Sequence, residues 1–243
     1  MAFAFVITAN TLSNALPIHG QTMPEISAKY PSLFTPAGFT FSIWGVIYIG
    51  LLLFVAWQAL PAQRANEHVA RISKYFQLNC LMNGLWLVAW HYDWLTLSLV
   101  LMFGILATLV GIYRTLILEF RSASLPQRLV AHVPFSLYTG WITLAAIANA
   151  SVLQTAYGWD DAGIDAVNWT LVKLALAGAI GASVLLKNRD VVFAAVVAWA
   201  AWGISVMQHG TPRVAGAAVT LSLLMIMLIG ICLAQRLRRA ALA

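Results

Sequence analysis

Apolar residues run along this chain in eight blocks, separated by short polar stretches that hold most of its prolines and charges. Most blocks approach the roughly 20 apolar residues that a helix needs to cross a bilayer. They predict helices over about 1–16, 38–60, 74–91, 94–118, 127–156, 167–187, 190–208 and 212–237. Continuous apolarity without strict alternation predicts helices and argues against a β-barrel. The second block is bracketed by Pro36 and Pro61, which fix its ends. The first is short for a span, and no basic residue precedes it, so it does not read as a signal peptide. The expected fold is all-α, a polytopic membrane helical bundle.

Charge orients that bundle. Only 9% of the 243 residues are charged and 61% are hydrophobic, whereas a soluble domain carries about 25% charged residues. On one side lie Arg64, Arg71 and Lys74, then Arg114, Arg121 and Arg128, then Lys187 and Arg189, and finally Arg236, Arg238 and Arg239. The other side has only Lys29 and Arg213, with an acidic loop of Asp160, Asp161 and Asp165. The positive-inside bias then places both termini in the cytoplasm. The net charge of +6 is spread over short loops, which argues against a nucleic-acid partner and leaves the lipid bilayer as the surrounding partner. Cys80 and Cys232 sit within apolar blocks without ligand spacing, so they read as small buried hydrophobes and no metal site is expected.

Candidate chemistry is sparse. His91, Asp93, Glu119, His132, Lys173 and His209 are the ionisable groups near membrane depth. Most lie at helix ends, where snorkelling relieves the cost of burial. His132 stands apart, because Pro134 distorts the helix beside it. No phosphate loop or His-Glu-x-x-His motif occurs, and no lysine in the last two helices could form a retinal Schiff base, so no catalytic residue is assigned.

Aromatic residues and amides carry more information. Pro36 and Gly38 form a break, and Phe39, Phe41, Trp44 and Tyr48 crowd the start of the second helix. That set suits a flat ligand near the membrane surface. On the third helix Asn79 and Asn83 share a face, with Trp86 one turn further on. The amides serve either as glue between helices or as a polar patch in a ligand cavity. The fifth helix offers Pro134, Tyr138, Trp141, Thr143 and Asn149, read either as core and belt or as cavity wall. Asn10 and Asn14 lie near the end of the first helix. The connection from about Pro17 to Thr35 carries His19, Gln21, Glu25 and Tyr30, and its length suits either a lid or disorder. On the sixth helix Ala177 with Gly181, and Gly178 with Ala182, form a small-residue stripe suited to packing inside the bundle or to a homodimer.

These residues resemble the translocator protein family, also called tryptophan-rich sensory proteins or peripheral benzodiazepine receptors. The family's Pro-Pro-Gly-Trp followed by an aromatic, then Trp and Tyr about a turn apart, is similar to Thr35-Pro36-Ala37-Gly38-Phe39 followed by Trp44 and Tyr48. Its Asn-x-x-x-Asn-x-x-aromatic third helix is matched by Asn79, Asn83 and Trp86, and its fifth helix more loosely by Pro134, Tyr138 or Trp141, and Asn149. Ala37 replaces the second proline, and Tyr157 is followed by Gly158 rather than a basic residue, so cholesterol recognition is not carried over. The resemblance covers about 1–156 and implies a five-helix translocator-protein-like domain there, with three additional transmembrane helices and a basic tail over 157–243. It further implies a pocket under the first loop for a porphyrin or other tetrapyrrole, with no resident cofactor. A bacterial inner membrane follows from topology and family together. A receptor or sensor of such a ligand is the leading expectation. A transporter of a small hydrophobic molecule, a light-driven porphyrin-degrading enzyme and an assembly partner are the alternatives.

Overall fold

The computed structural model of the chain describes residues 2–15, 19–21, 23–119, 123–159 and 163–241. Pro17, Arg121, Asp160 and Asp161, weighed above for loop length and charge, lie outside the described residues. All eight predicted blocks are helical. In chain order the helices are α1 (Ala2–Ala15), α2 (Met23–Lys29), α3 (Ile43–Gln58), α4 (Glu67–His91), α5 (Leu95–Glu119), α6 (Leu125–Gln127), α7 (Val133–Ala156), α8 (Ala166–Asn188), α9 (Val191–Met207) and α10 (Pro212–Ala241). Among the described residues five segments are long and apolar enough to cross a membrane: Gly38–Gln58, Leu95–Leu118, Leu125–Ala156, Ala166–Asn188 and Pro212–Arg239. Val191–Met207 is a shorter apolar helix. α1 has 14 residues, and the polar first turns of α4 lower its apolarity.

Two departures from the expected boundaries have local causes. α4 begins at Glu67 rather than near 74, because the Asn66 side chain accepts from the backbone N–H groups of His68 and Val69 at 3.1 and 3.2 Å. An N-cap of this kind starts a helix through residues that no apolar pattern marks. At the start of the fifth predicted block, Arg128–His132 form a π-helical turn that runs directly into α7. Pro134 has no N–H and its ring crowds the carbonyl one turn back, and a widened turn accommodates both. The distortion expected beside His132 is therefore a π turn.

The chain forms two compact units, one made of residues 1–31 and 44–157, the other of 32–43 and 158–243. In the first, α4 packs along α5, α5 along α7, and α1 along α4. α3 joins this unit largely through side chains. Phe54 meets Phe135 edge-on with centroids 4.9 Å apart, and both rings meet Phe76 at 5.9 and 5.7 Å. Edge-to-face aromatic packing of this kind favours fixed ring positions over sliding. Gly50 brings α3 against the ring of Pro134 at the start of α7.

The second unit packs α10 against α9 and α8, and α8 against α9. The small-residue stripe is used inside this unit. A Cβ on Gly178 would lie 2.7 Å from Leu221 of α10, and one on Gly181 would lie 3.0 Å from Val197 of α9. Asp165 caps α8 through the N–H of Asn168, and Asp190 caps α9 through those of Val192 and Phe193. Between α8 and α9, Arg189 takes a left-handed conformation with φ 57°. Its guanidinium donates to Gln235 on α10 and its carbonyl accepts from Arg236.

Candidate ligand site and the aromatic turn

Within the first unit, Trp44 is the centre of an aromatic cluster. It stacks on Tyr48 one turn along α3, with centroids 5.3 Å apart and planes 21° from parallel. Tyr138 and Trp141 of α7 meet it edge-on at 5.8 and 6.4 Å. Tyr138 and Trp141 are buried, whereas Trp44 and Tyr48 are partly exposed. The Tyr48 hydroxyl is buried and has no hydrogen-bond partner among the described residues.

Behind this cluster runs a hydrogen-bonded relay. Asn79 donates to Thr108 Oγ1 at 2.9 Å and to the Ile105 carbonyl at 3.2 Å, both on α5. Its Oδ1 accepts from the Tyr138 hydroxyl at 3.1 Å. That hydroxyl in turn accepts from Asn83 Nδ2 at 3.1 Å, and Asn83 Oδ1 accepts from Asn10 on α1 at 3.0 Å. The relay thus joins four helices: the phenol ties α7 to both α4 amides, and those amides reach α5 and α1. The two amides, left open above between glue and ligand patch, make these bonds between helices, because an amide at membrane depth must find partners. Their i, i+4 spacing places both on the α4 face that meets Tyr138.

Trp86 stacks instead on Trp90, centroids 5.7 Å apart, beside the cluster of Ile26, Leu95, Val152 and Leu153. Asn149 donates to Ser98 Oγ at 2.9 Å, joining α7 to α5. The structure therefore brings Trp44, Tyr48, Asn79, Asn83, Tyr138 and Trp141 together and places Trp86 and Asn149 in other contacts.

Pro36, Gly38, Phe39 and Phe41 belong to the second unit. Gly38–Ser42 form a 3-10 turn that leads into α3. The Ala37 N–H donates to the Gly203 carbonyl and Trp199 Nε1 donates to the Thr40 carbonyl, both at 3.0 Å. Gln208 Nε2 donates to the Thr35 carbonyl at 3.3 Å. Phe39 meets the Trp199 indole edge-on at 5.4 Å. Residues 199, 203 and 208 had no place among the sequence-read candidates, because nothing local marks a contact across some 160 positions.

The sequence pattern of the TSPO-like protein family matches residues 1–231. The chain belongs to that family. No curated protein and no solved structure matches it. The family match continues through α8, α9 and most of α10, so the C-terminal helices fall inside the family's own pattern although the motif resemblance stops near 156.

Within the connection after α1, read above as a lid or as disorder, the described residues His19, Gln21, Ile26 and Lys29 contact the end of α4 and the turn into α5. Ile26 of α2 is fully buried against Trp90 and Leu95. His19 stacks on Tyr92 at 4.5 Å. Asp93, with φ 55°, accepts from Lys29 at 2.8 Å and from Gln21 at 3.3 Å. Beside it lies a cavity of about 490 Å³ lined by Tyr30, Asp93, Trp94, Leu95 and Tyr157 among others. A second, of about 350 Å³, lies between Phe3, Val55, Gln58, Ser73 and Phe76.

Partial burial pushes the Asp93 carboxyl up, but hydrogen bonds from Lys29, Gln21 and Tyr30 and the ammonium charge of Lys29 outweigh it and hold the group below the usual carboxylate range. A depressed carboxylate stabilises the folded state at pH values above its unfolded pKa, and that stability is lost as pH falls through the lower folded value. The pin that these contacts form should therefore hold at neutral pH and open only in acid, below the ordinary Asp range of about 4. Hydrogen exchange of the 23–30 segment should rise there, and Asp93→Asn should raise it already at pH 7. Equal exchange in Asp93→Asn and the parent at pH 7 would remove the ion pair as the pin.

Proposed function

We propose that this TSPO-like membrane protein is a receptor or sensor that binds a flat hydrophobic ligand, a porphyrin or other tetrapyrrole, on the Trp44–Tyr48 face of its first unit. The observation that carries the reading is the stacked, partly exposed Trp44–Tyr48 pair with an unpartnered phenol at its end. A macrocycle offers a π face to such a pair and polar edge atoms to the Tyr48 hydroxyl. Trp141 and Tyr138 back the platform, and Asn79 and Asn83 serve it by holding Tyr138. Both termini are placed in the cytoplasm on this reading, which rests on the loop charges.

Purified protein in detergent should quench saturably with protoporphyrin IX. Trp44→Ala should weaken binding by about 1–3 kcal/mol through loss of the stacked face. Tyr48→Phe keeps the ring and removes the hydroxyl, and should cost about 1 kcal/mol. Parental affinity in both variants would refute the site.

A further inference from the structure

We infer that α9 is the positioning element of the aromatic turn, with Trp199, Gly203 and Gln208 as its positioning residues. All of the contacts lie within the second unit. The 3-10 turn Gly38–Ser42 has no side-chain cap of its own, so its placement depends on outside partners. Three hydrogen bonds supply them, reaching from Thr35 through Ala37 to Thr40 and all coming from α9 or the residue that ends it. Each fixes a backbone group of the turn or of the residues that lead into it, which sets the path of the chain rather than one rotamer.

Gly203 sets the depth of the seat. Thr40 is fully buried, and a Cβ added to Gly203 would stand 2.0 Å from Thr40 Oγ1 and 3.0 Å from its Cβ and Cγ2. Rotating the threonine cannot clear all three atoms, so even alanine at 203 lifts the turn. Trp199, one helical turn earlier on the same face, adds both its N–H to the Thr40 carbonyl and an edge-to-face ring contact with Phe39. The segment so held ends at Ile43, and Trp44 is the next residue. Part of what the C-terminal helices do is therefore to hold the chain that starts α3. For its effect on ligand this inference rests on the reading under Proposed function, whereas the placement of the turn does not.

A nitroxide on Gly38→Cys tests the placement in the full chain. Gly38 is exposed and a Cβ there meets nothing within 4 Å, while Cys80 and Cys232 are 1% and 2% exposed and shielded from the label. The parent should give a broad, ordered spectrum. Gly203→Ala should sharpen it, and so should Trp199→Phe, a milder change that removes only the N–H donor and part of the ring. Thr40→Ala added to Gly203→Ala removes two of the three clashing atoms and should restore breadth. Parental spectra in both single variants would overturn the inference, and so would failure of the double variant to recover. In unlabelled protein Gly203→Ala should weaken protoporphyrin IX binding by about tenfold, equivalent to about 1.4 kcal/mol. Parental affinity together with a sharpened spectrum would overturn the link to ligand. A parent that does not bind protoporphyrin IX at all would overturn the ligand reading alone, and the spectra would still decide the placement.

Discussion

Tyr138→Ala is expected to destabilise the protein by about 3–5 kcal/mol, the range for deleting a large buried aromatic ring. Two losses combine. The ring is 3% exposed and forms part of the wall behind Trp44, so its removal leaves a cavity between α3 and α7. Its hydroxyl joins Asn79 to Asn83, so its removal also leaves Asn79 Oδ1 without its donor and Asn83 Nδ2 without its acceptor. Tyr138→Phe separates the two losses. Hydrogen bonds between membrane helices are worth on average about 0.6 kcal/mol, because the unfolded helices also find partners in lipid. Leaving buried amides unpaired raises the cost towards about 1–3 kcal/mol. The phenylalanine variant should therefore lose about 1–2 kcal/mol, and the cavity is the larger effect. Denaturant unfolding in detergent reads both numbers. Equal losses in the two variants would place the stability in the relay instead, and a loss below about 1 kcal/mol in Tyr138→Ala would mean that this phenol does not tie α7 to α4.

The helices were legible because each is an apolar block between polar breaks, and the Pro36-to-Tyr48 segment was legible as a motif. Which face of each helix is buried was not. In a bilayer the lipid-facing side is as apolar as the core, so the 3.6-residue period that marks a soluble helix loses its contrast. α3 illustrates this: Leu51 is buried while Leu52 and Leu53 are exposed, and nothing in their chemistry separates them. Amides do stand out against such a background. Asn79, Asn83 and Asn149 were singled out as polar residues in spans, and all three are buried and bonded between helices. α2 was missed because its seven residues look like loop, and the buried Ile26 anchors it without any apolar repeat. The seat of the turn on α9 was missed for a different reason. It depends on a glycine, a tryptophan and a glutamine more than 150 positions away, each of which has an ordinary reading in its own helix.

Gly50 tests how α3 is held, because two effects of opposite sign compete there. Replacing a helical glycine by alanine adds about 1 kcal/mol of helix propensity. The new Cβ, however, would stand 2.9 Å from Cβ and Cγ of Pro134 and 3.5 Å from its Cα. A proline ring has no rotamer that yields, and its backbone is set in the first turn of α7 beside the π turn. The helix must shift instead. Phe54, one turn further along the same face, would then leave its 4.9 Å edge-on contact with Phe135. Overpacking of this kind costs about 1–3 kcal/mol, so it cancels or exceeds the propensity gain for alanine and dominates for leucine. Gly50→Ala should be neutral to about 1 kcal/mol destabilising, and Gly50→Leu should lose about 3 kcal/mol. Because α3 also carries Trp44 and Tyr48, the leucine variant should weaken protoporphyrin IX quenching as it lowers the unfolding midpoint. A stabilised Gly50→Leu would mean that α3 can tilt off α7 without loss, and that the aromatic cluster rather than the Gly50–Pro134 contact fixes its position.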